Sequence, residues 1–323
     1  MPLGRVFRRR AQLESVITRA RALPPGDYRR WQVIGELGTV DFRSSFERAS
    51  ALIRTADPAS MTLGAEMCDQ LFAGMREGRR FTRQAEELLR TLCSPAQDPE
   101  VLCAALHPYA QLSPDVRPLL IELLEHPDER VRSTAAQLIA TAGAEFADDQ
   151  QVDSLIALLE RDPDASVREQ ATVGLELILT CYAYVPQRLR IIDVLTGYLD
   201  DPVPGVRASA LAGISAVDID TAVKRLVAEL TAAPAHPDWQ FVDAFNHLLQ
   251  FDACAADLRA EAYLALGRLA ELDWAQDADP ARFPVAHERA EMLAKAIAAT
   301  EPHRGGPPAG RDRGDRLLRR WGL

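Results

Sequence analysis

The sequence predicts an all-α fold of repeated helical hairpins, and three observations carry that prediction. Apolar residues make up 47% of the chain and aromatic residues only 6%. An alanine- and leucine-rich interior with few rings and few β-branched runs suits packed helices better than sheets. A turn-then-helix pattern recurs along the chain, clearly in three places. No stretch approaches the ~20 consecutive apolar residues that span a bilayer. The 323 residues suffice for one large domain or two ordinary ones.

From the N-terminus, residues 7–23 (FRRRAQLESVITRARAL) predict a basic helix ended by Pro24-Pro25-Gly26. Residues 1–40 are therefore expected to be a basic N-terminal helix and linker. Arg8-Arg9-Arg10 leads into polar sequence with no apolar run, so neither secretory nor twin-arginine export is expected, and the expected location is the cytoplasm.

The repeats follow. "LLEHPDERVRSTAAQLI" starts at Leu123, "LLERDPDASVREQATVGL" at Leu158 and "YLDDPVPGVRASALAGI" at Tyr198. In each, a proline lies four residues before a valine: Pro127 and Val131, Pro163 and Val167, Pro202 and Val206. Three weaker copies fit the same template. Leu52–Leu71 places Ser60-Met61 in the Val-Arg slot, Leu92–Leu112 places Val101-Leu102 there, and Leu248–Leu269 places Leu258-Arg259 there. Counted from the valine slot, the fifth residue is always small: Gly64, Ala105, Ala135, Ala171, Ala210, Ala262. The proline ends the first helix, and an acidic residue favours the N-terminal end of the next. The small residue lets two helices approach closely. One such hairpin cannot bury its own face, so copies must stack.

This Asp-Pro-Asp…Val-Arg…Ala…Leu pattern resembles HEAT repeats, strongly over 115–217 and more weakly across roughly 41–270. The resemblance extends to uncharacterised bacterial HEAT-repeat proteins. It implies a right-handed α-solenoid of about six HEAT-like hairpins over residues 41–301. The fifth-to-sixth spacing is 52 residues rather than about 36. The extra segment holds a further helix, "DIDTAVKRLVAELTA" (Asp218–Ala232), and the breaker "APAHPDW", so a kink is expected near 233–238. Residues 302–323 are expected to be a disordered Arg/Gly/Pro-rich tail with a short basic-amphipathic end, "RLLRRWGL".

Charge is unevenly spread. Residues 1–30 carry a net +6 and residues 303–323 a net +4; removing both from the overall −10 leaves −20 on residues 31–302. An acidic body repels nucleic acid, whose affinity for proteins comes largely from cationic contacts with phosphate. The basic ends remain free to contact an anionic surface or to fold back on the body. Only Lys224 and Lys295 are lysines, a codon signature of a GC-rich bacterial genome.

Catalytic chemistry finds no support. The chain has no GxxxxGK[ST], GxSxG or GxGxxG. "HERAE" (His287–Glu291) lacks the second histidine of a HExxH zinc site, and the several His-Glu pairs of HEAT-built deoxyhypusine hydroxylase reduce here to His287-Glu288. Five scattered cysteines without a CxxC are expected to be buried thiols of a reducing compartment. Cys103 and His107 share a helix face, but two ligands are too few for a metal and no acid is placed to orient a thiol–imidazole pair. No cofactor and no metal are expected. Asp128 and Arg132, like Asp164 and Arg168, are expected to form structural pairs across the turn.

The resemblance implies that second helices line a concave face. Their third positions are Thr62, Cys103, Ser133, Glu169, Ala208 and Ala260, and their seventh positions are Glu66, His107, Gln137, Val173, Ala212 and Leu264. A partner-binding groove is therefore expected at Glu66, His107, Ser133, Gln137, Glu169, Val173, Ala212 and Leu264, polar early and apolar late. A protein, peptide or helix is the expected partner of a non-catalytic scaffold or adaptor. The alternatives are a toxin-immunity or other inhibitory protein, and an enzyme like the HEAT-type DNA glycosylases or the bilin lyases.

Overall fold

A computed structural model describes residues 3–25, 27–73, 80–113, 115–140, 148–181, 187–232, 239–248, 253–271, 292–297 and 300. The expected kink at 233–238, the "HERAE" stretch and the tail at 302–323 lie outside them. Among the described residues there is no strand, and no helix is long and apolar enough to cross a membrane. The chain divides into two compact units, 1–144 and 145–323.

Unit 1 contains α1 (Leu3–Arg21), α2 (Tyr28–Gly35), a 3₁₀ turn (Glu36–Thr39), and three hairpins: α3 (Phe42–Ile53) with α4 (Pro58–Phe72), α5 (Thr82–Arg90) with α6 (Pro99–Leu112), and α7 (Arg117–Leu123) with α8 (Glu129–Ile139). The second helices α4, α6 and α8 pack in sequence against one another. Residues 28–39, expected as linker, are helical instead, because Ile34 and Leu37 find a buried site there. The basic N-terminal segment is tied into its own unit. Arg19 pairs with Glu36, Glu14 with Arg48, and Arg30 with Glu66, while Arg21 donates to Ser60.

Unit 2 contains α9 (Asp149–Arg161) with α10 (Ala165–Cys181), α11 (Arg188–Gly197) with α12 (Pro204–Ile214), then α13 (Ile219–Ala232), α14 (Trp239–Ala244) and α15 (Ala256–Glu271). Here α10, α12 and α14 form the row of second helices. The last helix departs from expectation: α15 packs on α13, the first helix of its hairpin, and its start is tied to the start of α13 by the Ala255 N–H donating to Asp220 Oδ1 (2.9 Å).

The repeat grammar has a physical counterpart at each position. Val101, Val131, Val167 and Val206 are fully buried, as are Ala105, Ala135, Ala171, Ala210 and Ala262. A Cβ on Gly64 would lie 2.8 Å from the Ala49 carbonyl oxygen, so α3 and α4 cross as closely as a glycine permits. Aspartates cap the second helices: Asp57 accepts from the Ser60 N–H, Asp98 from Glu100 and Val101, Asp128 from Arg130, and Asp164 from Ser166 and Val167.

The expected aspartate–arginine pairs resolve differently. The guanidinium that follows the valine reaches back over the turn. Arg132 Nη1 donates to the carbonyls of His126 and Pro127, Arg168 Nη1 to those of Asp162 and Pro163, and Arg207 Nη1 to those of Asp201 and Pro202. These carbonyls lie in the turn between the two helices, beyond the last residue of the first, where no helical ladder supplies a donor. Asp128 meanwhile pairs with Arg130. His126, buried, accepts the Asp128 N–H at Nδ1 and approaches the Pro95 carbonyl with Nε2 (3.2 Å). With Nδ1 accepting, Nε2 is left to donate to the Pro95 carbonyl, stapling one turn to the preceding one.

Candidate partner-binding face

Positions outside the repeated grammar also lie on the second helices. In unit 1, Glu66 and Asp69 on α4, Cys103, His107 and Gln111 on α6, and Ser133, Thr134 and Gln137 on α8 form a polar strip across three packed helices. Glu66, His107 and Ser133 are half-buried and Gln137 is exposed. Glu66 pairs with Arg30 (2.7 Å). Desolvation nevertheless holds its carboxyl above the usual range, and Arg30 offsets this only in part. Burial also raises the Asp69 carboxyl, against the pull of His107 and of the Gln111 amide, which donates to Asp69 Oδ1 (3.0 Å). The strip therefore holds two carboxylates whose burial is only partly offset by their partners.

Cys103 and His107 diverge although they lie on one helix. Burial raises the Cys103 thiol, which bonds Thr134 on α8. Burial lowers the His107 imidazole, which faces Asp69 on α4. A thiol pushed up and an imidazole pushed down make a neutral couple, the reverse of an activated nucleophile. Cys68 and Cys93, both buried, are pushed up to about 12 by desolvation and are inert core thiols. Among the described residues no cluster of His, Cys, Asp or Glu could hold a metal ion.

Unit 2 corrects the expected groove at two of its four residues. Ala212 is 2% exposed and Ala208 3%, so neither lines an open surface. The face of α12 is made of Gly205, Ala208 and Ala212, and it is low enough for its neighbours to meet over it. Gln240 of α14 donates its amide to Glu169 of α10, whose carboxyl occupies the space a Cβ on Gly205 would need. Seven residues along, His247 lies 3.5 Å from Glu176 of α10. Val173, half-buried, lies between these two rungs in the sequence of α10. Leu264 is 59% exposed, but on α15, which packs against α13 and not in the row of second helices.

The residues that sequence reasoning missed are Arg30, Asp69 and Gln111 in unit 1 and Gln240, Asp243 and His247 in unit 2. Asp69 and Gln111 were reachable, one or two turns beyond the third and seventh positions on the same face. The other four carried no signal, because they lie outside the repeat template.

Residues 85–176 match the family model for HEAT repeats, a span that runs from α5 into α10. None of the curated proteins compared with the chain matches it. The copy at Tyr198–Ile214 falls beyond the matched span yet reproduces the Arg–carbonyl clamp of the two copies before it.

Proposed function

From the match of residues 85–176 to HEAT repeats, we propose that the chain is a non-catalytic protein-binding scaffold whose partner contacts the second-helix strip of unit 1. The observation that supports this reading is the pair of carboxylates, Glu66 and Asp69, whose burial is only partly offset, set among the neutral donors and acceptors of His107, Gln111 and Gln137. The repeated residues are occupied by the scaffold, whereas this strip differs from copy to copy. A partner segment presenting an arginine or lysine would supply a further positive charge in a half-desolvated setting, where a charge-assisted hydrogen bond counts most.

The test is co-purification from the native host. Asp69→Arg and Gln137→Arg should each release a partner retained by the wild type, with helicity unchanged. Glu87→Arg on the exposed side of α5 should retain it. Equal recovery of the partner by all three variants removes the strip from consideration.

The charge of −20 on residues 31–302 favours a second reading, an inhibitory protein that covers a basic active site. It requires the co-purified partner to be less active in the complex than alone; equal activity rejects it.

A further inference from the structure

The two rungs over α12 differ in one respect. Glu169 and Gln240 form a bridge in which the amide cannot titrate near neutral pH. The second bridge depends on a proton. Glu176 is 3% exposed, and its Oε1 is a buried atom. Among the described residues its ion-pair partner is His247, with Nδ1 at 3.5 Å. On the other side of the ring, Nε2 lies 3.8 Å from Asp243, one helical turn back in the same segment. On α12, Gly205, Ala208 and Ala212 are buried and uncharged, and the charged group it brings to the segment is Arg207, which lies over the Phe241 ring at 5.3 Å and pairs with Glu229. Asn246 donates to Asp243 within the segment and, at 3.5 Å, to the Met292 carbonyl, and brings no charge.

We propose that His247 is a proton-operated latch: its imidazolium, held between Glu176 and Asp243, fastens residues 239–248 across α12, and loss of its proton unfastens them. The segment is suited to such control. α14 has six residues, too few to be stable alone, so its order depends on attachment through Phe241, Val242, Ala244 and Phe245, all buried, and on the two rungs. A buried carboxylate without a cation is unfavourable, so deprotonating the ring turns an attachment into a liability.

The direction follows from the same contacts. The hydrogen bond with Glu176, and then the charges of Glu176 and Asp243, raise His247 above its ordinary 6.5 against the opposing effect of burial. The contribution of the latch is therefore complete below the unfolded value of 6.5 and is lost as pH rises through the higher folded-state value.

Amide hydrogen exchange on the full chain tests the latch without reference to any partner, so it can fail while the scaffold reading stands, and the reverse. Between about pH 6 and about pH 8.5, corrected for intrinsic rates, protection of residues 239–248 should fall several-fold relative to α9. Glu176→Gln should abolish that pH dependence, and His247→Gln should give low protection at both values. Unchanged wild-type protection, or full pH dependence in either variant, overturns the proposal. Should a variant not fold, the wild-type His247 ring resonances decide it: a titration midpoint at or below the ordinary histidine value overturns the latch, and one above it supports it.

Discussion

At the scale of single residues, unit 1 rests on a buried ion pair and a glycine. Arg30 and Glu66 have side chains only 6% and 13% exposed, and Arg30 also donates to the Leu23 carbonyl. Removing one member strands the other. Glu66→Leu and Arg30→Met should each cost about 3–5 kcal/mol, whereas the two combined should be far less harmful, because apolar pairs often replace buried ion pairs at no loss. Urea unfolding of the two single variants and the double variant checks this; a double variant as unstable as the sum of the singles would refute it. The sign of the Glu66 shift agrees: with its folded-state value above 4.5, the burial cost present at neutral pH is relieved as pH falls through that value. Gly64 offers a sharper contrast. Gly64→Ala drives a methyl against backbone at 2.8 Å and should cost about 1–3 kcal/mol. Gly197→Ala, at the end of α11 with nothing within 4 Å, should gain about 0.4–1 kcal/mol from the reduced freedom of the unfolded chain. Opposite signs are expected from the same denaturation assay.

At the scale of elements, the hairpin turn was the most legible feature, and its energetics are testable. The Pro-x-x-x-Val-Arg pattern could be read because each of its residues acts locally, by ending a helix, filling the core or bonding the carbonyls left behind. Arg168→Ala removes two charge-assisted bonds to the carbonyls of Asp162 and Pro163 and should cost about 1.5–3 kcal/mol. Arg207→Ala should cost more, since Arg207 also makes a two-point pair with Glu229 of α13 and lies over the Phe241 ring of α14 at 5.3 Å. Equal losses would mean that the clamp alone matters. The same logic explains where reading failed. The copy at Leu248–Leu269 has Leu258-Arg259 but Cys254 where the proline should stand. Without the turn, an amphipathic helix with a small fifth residue suits either position of a hairpin, and α15 joins the first helix α13. In unit 2 the burial of Ala212, an expected groove residue, has a related reason. The smallness of Gly205, Ala208 and Ala212 could be read, but not its consequence, which depends on Gln240 and His247 in a segment with no repeat signature.

At the scale of the whole molecule, the dominant physical fact is excess negative charge: 47 acidic against 37 basic residues. Exposed pairs such as Arg83–Glu87, Arg190–Asp153 and Arg225–Asp200 offset it only weakly, since pairs of this kind contribute about 0–1 kcal/mol each. Two opposing effects then respond to salt. Screening weakens these pairs, which lowers stability, and it weakens the repulsion among unpaired acids, which raises it. The pairs act at contact distance, where screening is least effective. The repulsion acts over the roughly 10–30 Å across which the screening length contracts, from about 30 Å at 0.01 M to about 8 Å at 0.15 M. Repulsion should therefore dominate, and Tm should rise by roughly 2–4 °C over that range, as about 1 kcal/mol of relief would produce in a chain of this size. Near pH 5.2, where the formal charge vanishes, the repulsion is gone while the pairs persist, so the salt dependence should flatten or reverse. A Tm that falls with salt at pH 7 would show that ion pairs, not net charge, govern the stability of this chain.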